Sequence, residues 1–179
     1  MRTWVALLRG INVGGHHKVS MPALREALAE AGFEDVRTYV NSGNVVARSA
    51  YAQPAQVSAA VHRVITERFG LDVAVVVRTA EQLAGVLAWN PFPDAAANRP
   101  QLVHVLHLAA TPDPERVRDL LAADVTPDQL AARGAEVVVA YAKSSQRSPT
   151  EGPLRRLGVA TTSRNWRTLT ALVDLAAKR

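Results

Sequence analysis

Two short stretches carry residues that could do chemistry. From Leu7 to Leu28 the chain reads LLRGINVGGHHKVSMPALREAL, in which Gly10, Gly14 and Gly15 lie between Arg9 and Lys18, with Asn12, His16 and His17 among them. Glycines let backbone N–H groups approach a ligand closely, and a helix N-terminus carries partial positive charge, so a glycine loop leading into a helix is a recipe for an anion site. The loop matches neither common phosphate fingerprint. Gly10 and Gly15 have the P-loop separation, but His16 and His17 stand where Lys and then Ser or Thr belong, and Asn12 replaces the second glycine of G-x-G-x-x-G. The structural alternative is a plain strand-to-helix connection needing positive φ, with Asn12 bonding the loop's own backbone. The second stretch is RNWRT, Arg164 to Thr168. Asn165 can cap a following helix, placing Arg164 and Arg167 at its positive end, an arrangement that attracts an anion. The alternative there is that Trp166 anchors the helix while the arginines stay solvated.

Three weaker signals follow. NSGN, Asn41 to Asn44, could present Ser42 and Asn44 to a ligand, but a hairpin turn explains the same residues. No G-x-S-x-G is present, so Ser42 has no support as a nucleophile. His104 and His107 lie three apart in a strand-like run and point to opposite faces, and His16 and His17 have no acid nearby in sequence, so no metal site and no cofactor are expected. KSSQRSPTEGPLRR, Lys143 to Arg156, is polar, basic and rich in loop formers, which suits either a mobile flap or an ordinary surface loop.

Several elements must position these residues. TWVALLR, Thr3 to Arg9, reads as a buried strand. Ser20 and Pro22 open a helix whose apolar face is Leu24, Ala27, Leu28 and Ala31, and Gly32 closes it. DVRTYV and NVVARS are strands either side of NSGN. Pro54 opens a helix with Val57, Val61, Val64, Ile65 and Phe69 on one face, Gly70 ends it, and LDVAVVVRT is the next strand. The order β-α-β-β-α-β predicts a ferredoxin-like half. Thr79 and Gln82 form a capping box for a short helix, and WNPFPDAAANRP beyond it is the best boundary in the chain. The remainder approximates the same order: strand QLVHVLHLAA; helix TPDPERVRDLLAA with Val117, Leu120 and Leu121 on one face; a short strand near Leu130 to Arg133; strand EVVVAYAK; a short helix around Pro153 to Leu157; an extended VATTSRN; and a last helix with Leu169, Leu172, Val173 and Ala176. The expected fold is α+β with two ferredoxin-like halves, residues 1–90 and 100–179.

The 179 residues contain 48% apolar and 21% charged residues, as a packed globular protein does. No apolar run approaches the roughly 20 residues of a membrane helix. Arg9 interrupts the N-terminal apolar run too early for a signal peptide, so a cytoplasmic protein without a membrane partner is expected. There is no cysteine, which excludes disulfides and a thiol nucleophile. Charge is unevenly placed. Residues 141–179 hold eight Lys or Arg against Glu151 and Asp174, a net of +6, while the whole chain is +5, leaving −1 for residues 1–140. A basic segment suits an anionic partner.

WVALLRGINVGGHHKVSMPALREALAEAGFEDVRTYVNSGNVV resembles the opening of the bacterial family catalogued as domain of unknown function 1697, NPF in mid-chain matches as well, and TTSRNWRT, Thr161 to Thr168, resembles its C-terminal signature TRNW.T. His16 and His17 depart from it, since relatives usually carry Asn or Lys there. The resemblance implies an α+β fold of two ferredoxin-like halves and no activity, because the family has no established one. The residues themselves favour binding, with or without turnover, of a small phosphorylated or nucleotide-like anion by Arg9, Gly10, Asn12, Gly14, Gly15, Lys18, Ser42, Asn44, Arg164, Asn165 and Arg167. Nonspecific nucleic-acid binding through the basic C-terminal part is an alternative, weakened because the third strand NVVARS carries no aromatic residue on which a base could stack. A structural or interaction protein is the other.

Overall fold

The computed structural model of the chain describes residues 1–13 and 18–178. The first four strands are β1 (Arg2–Leu8), β2 (Glu34–Tyr39), β3 (Asn44–Ser49) and β4 (Val75–Thr79), with α1 (Met21–Glu30) after β1 and α2 (Pro54–Phe69) after β3. They form an antiparallel sheet in the order β2-β3-β1-β4. Alternation along β1 decides what packs where. Trp4, Ala6 and Leu8 point into a core completed by Leu24 and Leu28 of α1 and Val57, Val61 and Ile65 of α2. Val5 and Leu7, on the opposite face, are also fully buried, so the strand is apolar throughout rather than alternating.

The helix ends follow the sequence signals. Ser20 Oγ accepts from the Ala23 N–H at 3.5 Å, and Pro22 sits in the first turn of α1. At the other end Gly32 N–H donates to Ala29 O and Phe33 N–H to Leu28 O, the two bonds of a Schellman motif. Gly70 ends α2 in the left-handed conformation. Thr79 and Gln82 make the expected reciprocal cap of α3 (Ala80–Trp89), at 2.8 and 3.2 Å.

The second set of elements is α4 (Pro93–Asn98), β5 (Val103–Leu108), α5 (Pro114–Ala122), β6 (Gln129–Arg133), β7 (Glu136–Ala140), α6 (Glu151–Arg156), β8 (Thr161–Asn165) and α7 (Trp166–Ala177). Its sheet is antiparallel in the order β6-β7-β5-β8. Leu106, Leu108, Val137, Val139, Tyr141, Leu120 and Leu157 form its core beside the helices. The fold is therefore α+β, with two four-stranded antiparallel sheets and seven helices among the described residues. Contacts divide the chain into Met1–Gly85 with the tail from Ala171, and Val86–Thr170.

Pro93 opens α4 within the Pro- and Asn-rich stretch after Trp89. One expectation needs correction. Leu121 does not join Val117 and Leu120 on the buried face of α5 but is 51% exposed, because it lies 100° round the helix from fully buried Leu120. Among the described residues no helix is long and apolar enough to cross a membrane.

Candidate functional site

In the first unit the residues that follow β1 are pinned rather than loose. Leu8 N–H donates to Gly43 O at 2.8 Å and Arg9 N–H to Ala74 O at 2.9 Å. Gly10 and Asn12 both adopt left-handed φ, +67° and +54°. The Asn12 amide faces inward on the loop. Its Oδ1 accepts from Val19 N–H at 2.8 Å, and its Nδ2 donates to Val19 O at 2.9 Å and to Asn41 O at 2.7 Å. Both amide hydrogens are thus engaged by backbone, which is the structural role expected of Asn12 as an alternative to ligand contact. Arg9, Gly10 and Lys18 are exposed. Gly14, Gly15, His16 and His17 lie outside the described residues. Residues 1–25 contain Arg2, Arg9, Lys18 and Arg25 and no acid, so the loop's surroundings in sequence are uniformly cationic.

The NSGN segment forms the β2–β3 hairpin tip. Asn44 is fully buried and donates to Tyr39 O at 2.9 Å and Ser42 Oγ at 3.1 Å, so these two side chains hold the turn. Gly43 has φ +78°, and a Cβ there would lie 2.7 Å from Leu8 Cβ and 2.9 Å from the Ile11 side chain, which is why the tip can close on the β1 end. Val40, at the start of the tip, has φ +49° and is 53% exposed. A β-branched residue there is an outlier. The sequence signal for it was a valine where turn chemistry favours Gly, Asn or Asp.

In the second unit RNWRT is divided between a strand and a helix. Arg164 immediately precedes the cap of α7, but its side chain is not solvated there. It belongs to β8, is buried, and its Nη1 donates to Thr162 Oγ1 at 2.8 Å and Ser163 O at 2.7 Å. Burial pulls its guanidinium pKa down to about 10. Asn165 Oδ1 accepts from Thr168 N–H at 2.9 Å and so caps α7. Trp166 is buried, and Arg167 is exposed in a first helical turn that holds no acid.

The sequence reading passed over Arg78. It is buried in β4 opposite Val5, as Arg164 is opposite Val105, and its Nη1 likewise donates to the preceding carbonyl, Val77 O, at 2.9 Å. The legible signal is that each arginine immediately precedes a capping residue, in RTAEQL and RNWRTL. His107 was also underread. Its Nδ1 lies 2.6 Å from Glu136 Oε2, its cross-strand neighbour on β7, and the histidine is fully buried. His104, on the other face, contacts Ser163 Oγ and Gln101 O, each at 3.1 Å, and burial lowers its pKa. Among the described residues no group of three or more His, Asp or Glu is placed to hold a metal. The end of the basic segment near Arg147 is tied down, since Ser148 Oγ donates to Asp128 Oδ2 at 2.5 Å and meets Thr150 Oγ1 at 2.6 Å.

These local arrangements can be set beside known proteins. The family described as protein of unknown function (DUF1697) matches residues 1–137. The chain belongs to DUF1697. The match takes in the whole pinned loop and the hairpin tip, and RNWRT lies beyond it. A conserved bacterial protein from Streptococcus pneumoniae has a solved structure similar to this DUF1697 chain, with a TM-score of 0.77 over 99% of each chain and 22% identity, a likeness of fold. No curated protein sequence matches this member of DUF1697.

Proposed function

We propose that this DUF1697 chain binds a small phosphorylated or nucleotide-like anion at the segment from Arg9 to Lys18. The observation that carries the reading is the combination of exposed Arg9 and Lys18 with a backbone held by Asn12, in a stretch of 25 residues without a carboxylate. Backbone held in place next to two cations limits the freedom lost on meeting an anion. Gly14 and Gly15 belong to the same proposal as backbone donors. Ser42 and Asn44 support the hairpin tip against which the loop is tied. In the second unit Arg167 is the exposed cation, while Arg164 and Asn165 act on β8 and α7 rather than on a ligand. We also propose that each unit is a ferredoxin-like half; the β-α-β-β-α-β order and the strand orders β2-β3-β1-β4 and β6-β7-β5-β8 support this.

The test is a thermal-shift and calorimetric titration with pyrophosphate, ATP and sulfate, repeated on the double variant Arg9→Ala, Lys18→Ala and on Arg167→Ala. The expected result is a ligand-dependent rise in Tm that the double variant loses. A ligand at a hundredfold excess over its Kd stabilises by about 2.7 kcal/mol, well within detection. An absence of any shift in the parent, or an unchanged shift in the double variant, would overturn the reading.

A further inference from the structure

A groove of about 400 Å³ opens between α5 and α6 of the second unit. From α5 it is lined by Arg116, Asp119 and Leu120, which at i, i+3 and i+4 share one helix face. From α6 and the turn after it come Pro153, Arg155, Arg156 and Gly158. Three guanidiniums thus border the groove against one carboxylate, a net of +2. The fold does not require this charge. The groove at the same place in chain order in the first unit, between α1 and α2, is about 300 Å³ and carries Glu30 and Glu67 against Arg68.

One of the three guanidiniums is fixed by backbone. Arg116 Nη1 donates to Leu157 O at 3.2 Å, at the C-terminal end of α6. It reaches that carbonyl by crossing Gly158, which has φ +67° and where a Cβ would overlap Nη1. Arg155 is held by Glu151 Oε1 at 2.6 Å, and Arg156 beside it is exposed. The C-terminus of α6 carries about half a negative charge, too little to account for three arginines. Asp119 is not their counter-ion either, since among the described residues it forms no ion pair with any of them.

We infer that this groove binds a sugar phosphate, with the phosphate on Arg116, Arg155 and Arg156 and a sugar hydroxyl donating to the Asp119 carboxylate. A guanidinium fork matches phosphate oxygens two at a time. A bare oxyanion gains from the arginines but is repelled by Asp119. A ligand that also bears hydroxyl groups uses that carboxylate as a hydrogen-bond acceptor. Leu120, fully buried beneath the groove, and half-buried Pro153 give the C–H groups of a sugar ring an apolar surface. Every residue of the site belongs to the second unit, so the site stands apart from the segment Arg9 to Lys18 and its anion.

The experiment is calorimetry with glucose 6-phosphate, inorganic phosphate and glucose. It uses the parent chain, Arg116→Met, Gly158→Ala, Asp119→Ala and the double variant Arg9→Ala, Lys18→Ala, with circular dichroism to confirm that each is folded. The parent is expected to bind glucose 6-phosphate about tenfold more tightly than inorganic phosphate, the worth of one hydrogen bond to a charged group, and glucose too weakly to measure. Arg116→Met should weaken both phosphates about tenfold or more. Gly158→Ala keeps all three arginines and should weaken both as well, because the added methyl displaces the Arg116 guanidinium. Asp119→Ala should bring the two phosphates to within about twofold of each other. The double variant should bind as the parent does. A parent that binds neither phosphate would overturn the inference. Binding kept by Arg116→Met and Gly158→Ala but lost by the double variant would overturn it too, and would place the anion on the loop after β1 instead. Equal binding of the two phosphates by the parent, or a preference that survives Asp119→Ala, would overturn the assignment to a sugar phosphate.

Discussion

The sharpest prediction concerns Asn12. Its side chain makes three hydrogen bonds to backbone, at 2.7, 2.8 and 2.9 Å, and its own φ is +54°. Each bond contributes about 1 kcal/mol net, with the bond to Asn41 O at the low end because it lies on the exposed side. Asn12→Gly removes the three bonds and keeps a residue at ease in the left-handed region, so the expected loss is about 2–3 kcal/mol. Asn12→Ala removes the same bonds and adds the cost of a Cβ at positive φ, about 1 kcal/mol more. The two variants should therefore differ in a fixed order, with alanine the worse. For a chain of this size the alanine variant should lose roughly 10 °C in Tm. Urea unfolding followed by circular dichroism measures all three proteins, with m expected to stay constant. An alanine variant within about 0.5 kcal/mol of the parent would refute the reasoning, and so would a glycine variant less stable than the alanine one.

Other outcomes follow from the same geometry. Gly43→Ala places a Cβ 2.7 Å from Leu8 Cβ at φ +78° and should cost about 2–4 kcal/mol, whereas Gly10→Ala meets no atom within 4 Å and should cost only the left-handed penalty of about 1 kcal/mol; denaturant melts separate the two. Arg164→Ala removes a buried, hydrogen-bonded guanidinium and should destabilise by about 2–4 kcal/mol, while exposed Arg167→Ala stays within about 0.5 kcal/mol, as calorimetry of both variants would show. Burial lowers the pKa of His104, so below its ordinary value of 6.5 the unfolded chain binds more protons than the folded one, and stability falls as pH falls. His104→Gln should flatten that part of the stability curve between pH 7 and 5, and an unchanged slope would exclude His104 as its source.

The elements were legible where a local rule and the tertiary demand agreed. Ser20, Pro22 and Gly32 bracket α1, and Thr79 with Gln82 opens α3, because capping is settled within a few residues. Leu121 was misplaced because helical periodicity marks an apolar stripe without saying how wide the neighbour's surface is. Of the candidate site, the positive φ of the loop and the bonding of Asn12 to its backbone could be read from residue types alone. The Asn41 acceptor could not, since it lies 29 residues away and depends on how the hairpin tip closes on β1. That Arg164, next to the cap of α7, would be buried could not be read locally, because its burial comes from the pairing of β8 with β5 opposite Val105. The His107 and Glu136 contact is of the same kind: 29 positions apart, it exists only through the β5–β7 register.

The division of the chain has a consequence for its birth. The tail from Ala171 belongs to the first unit, and near its end Arg37 Nη2 donates to the Lys178 carbonyl at 2.9 Å. Val86–Thr170 is one uninterrupted run. On the ribosome the usual rule is that whatever is made first folds first. Here the unit begun first lacks its last segment until after the other has been fully translated. The second unit can finish while the first still waits for nine residues, and a stall or premature stop in that tail injures the part of the protein farthest back in time.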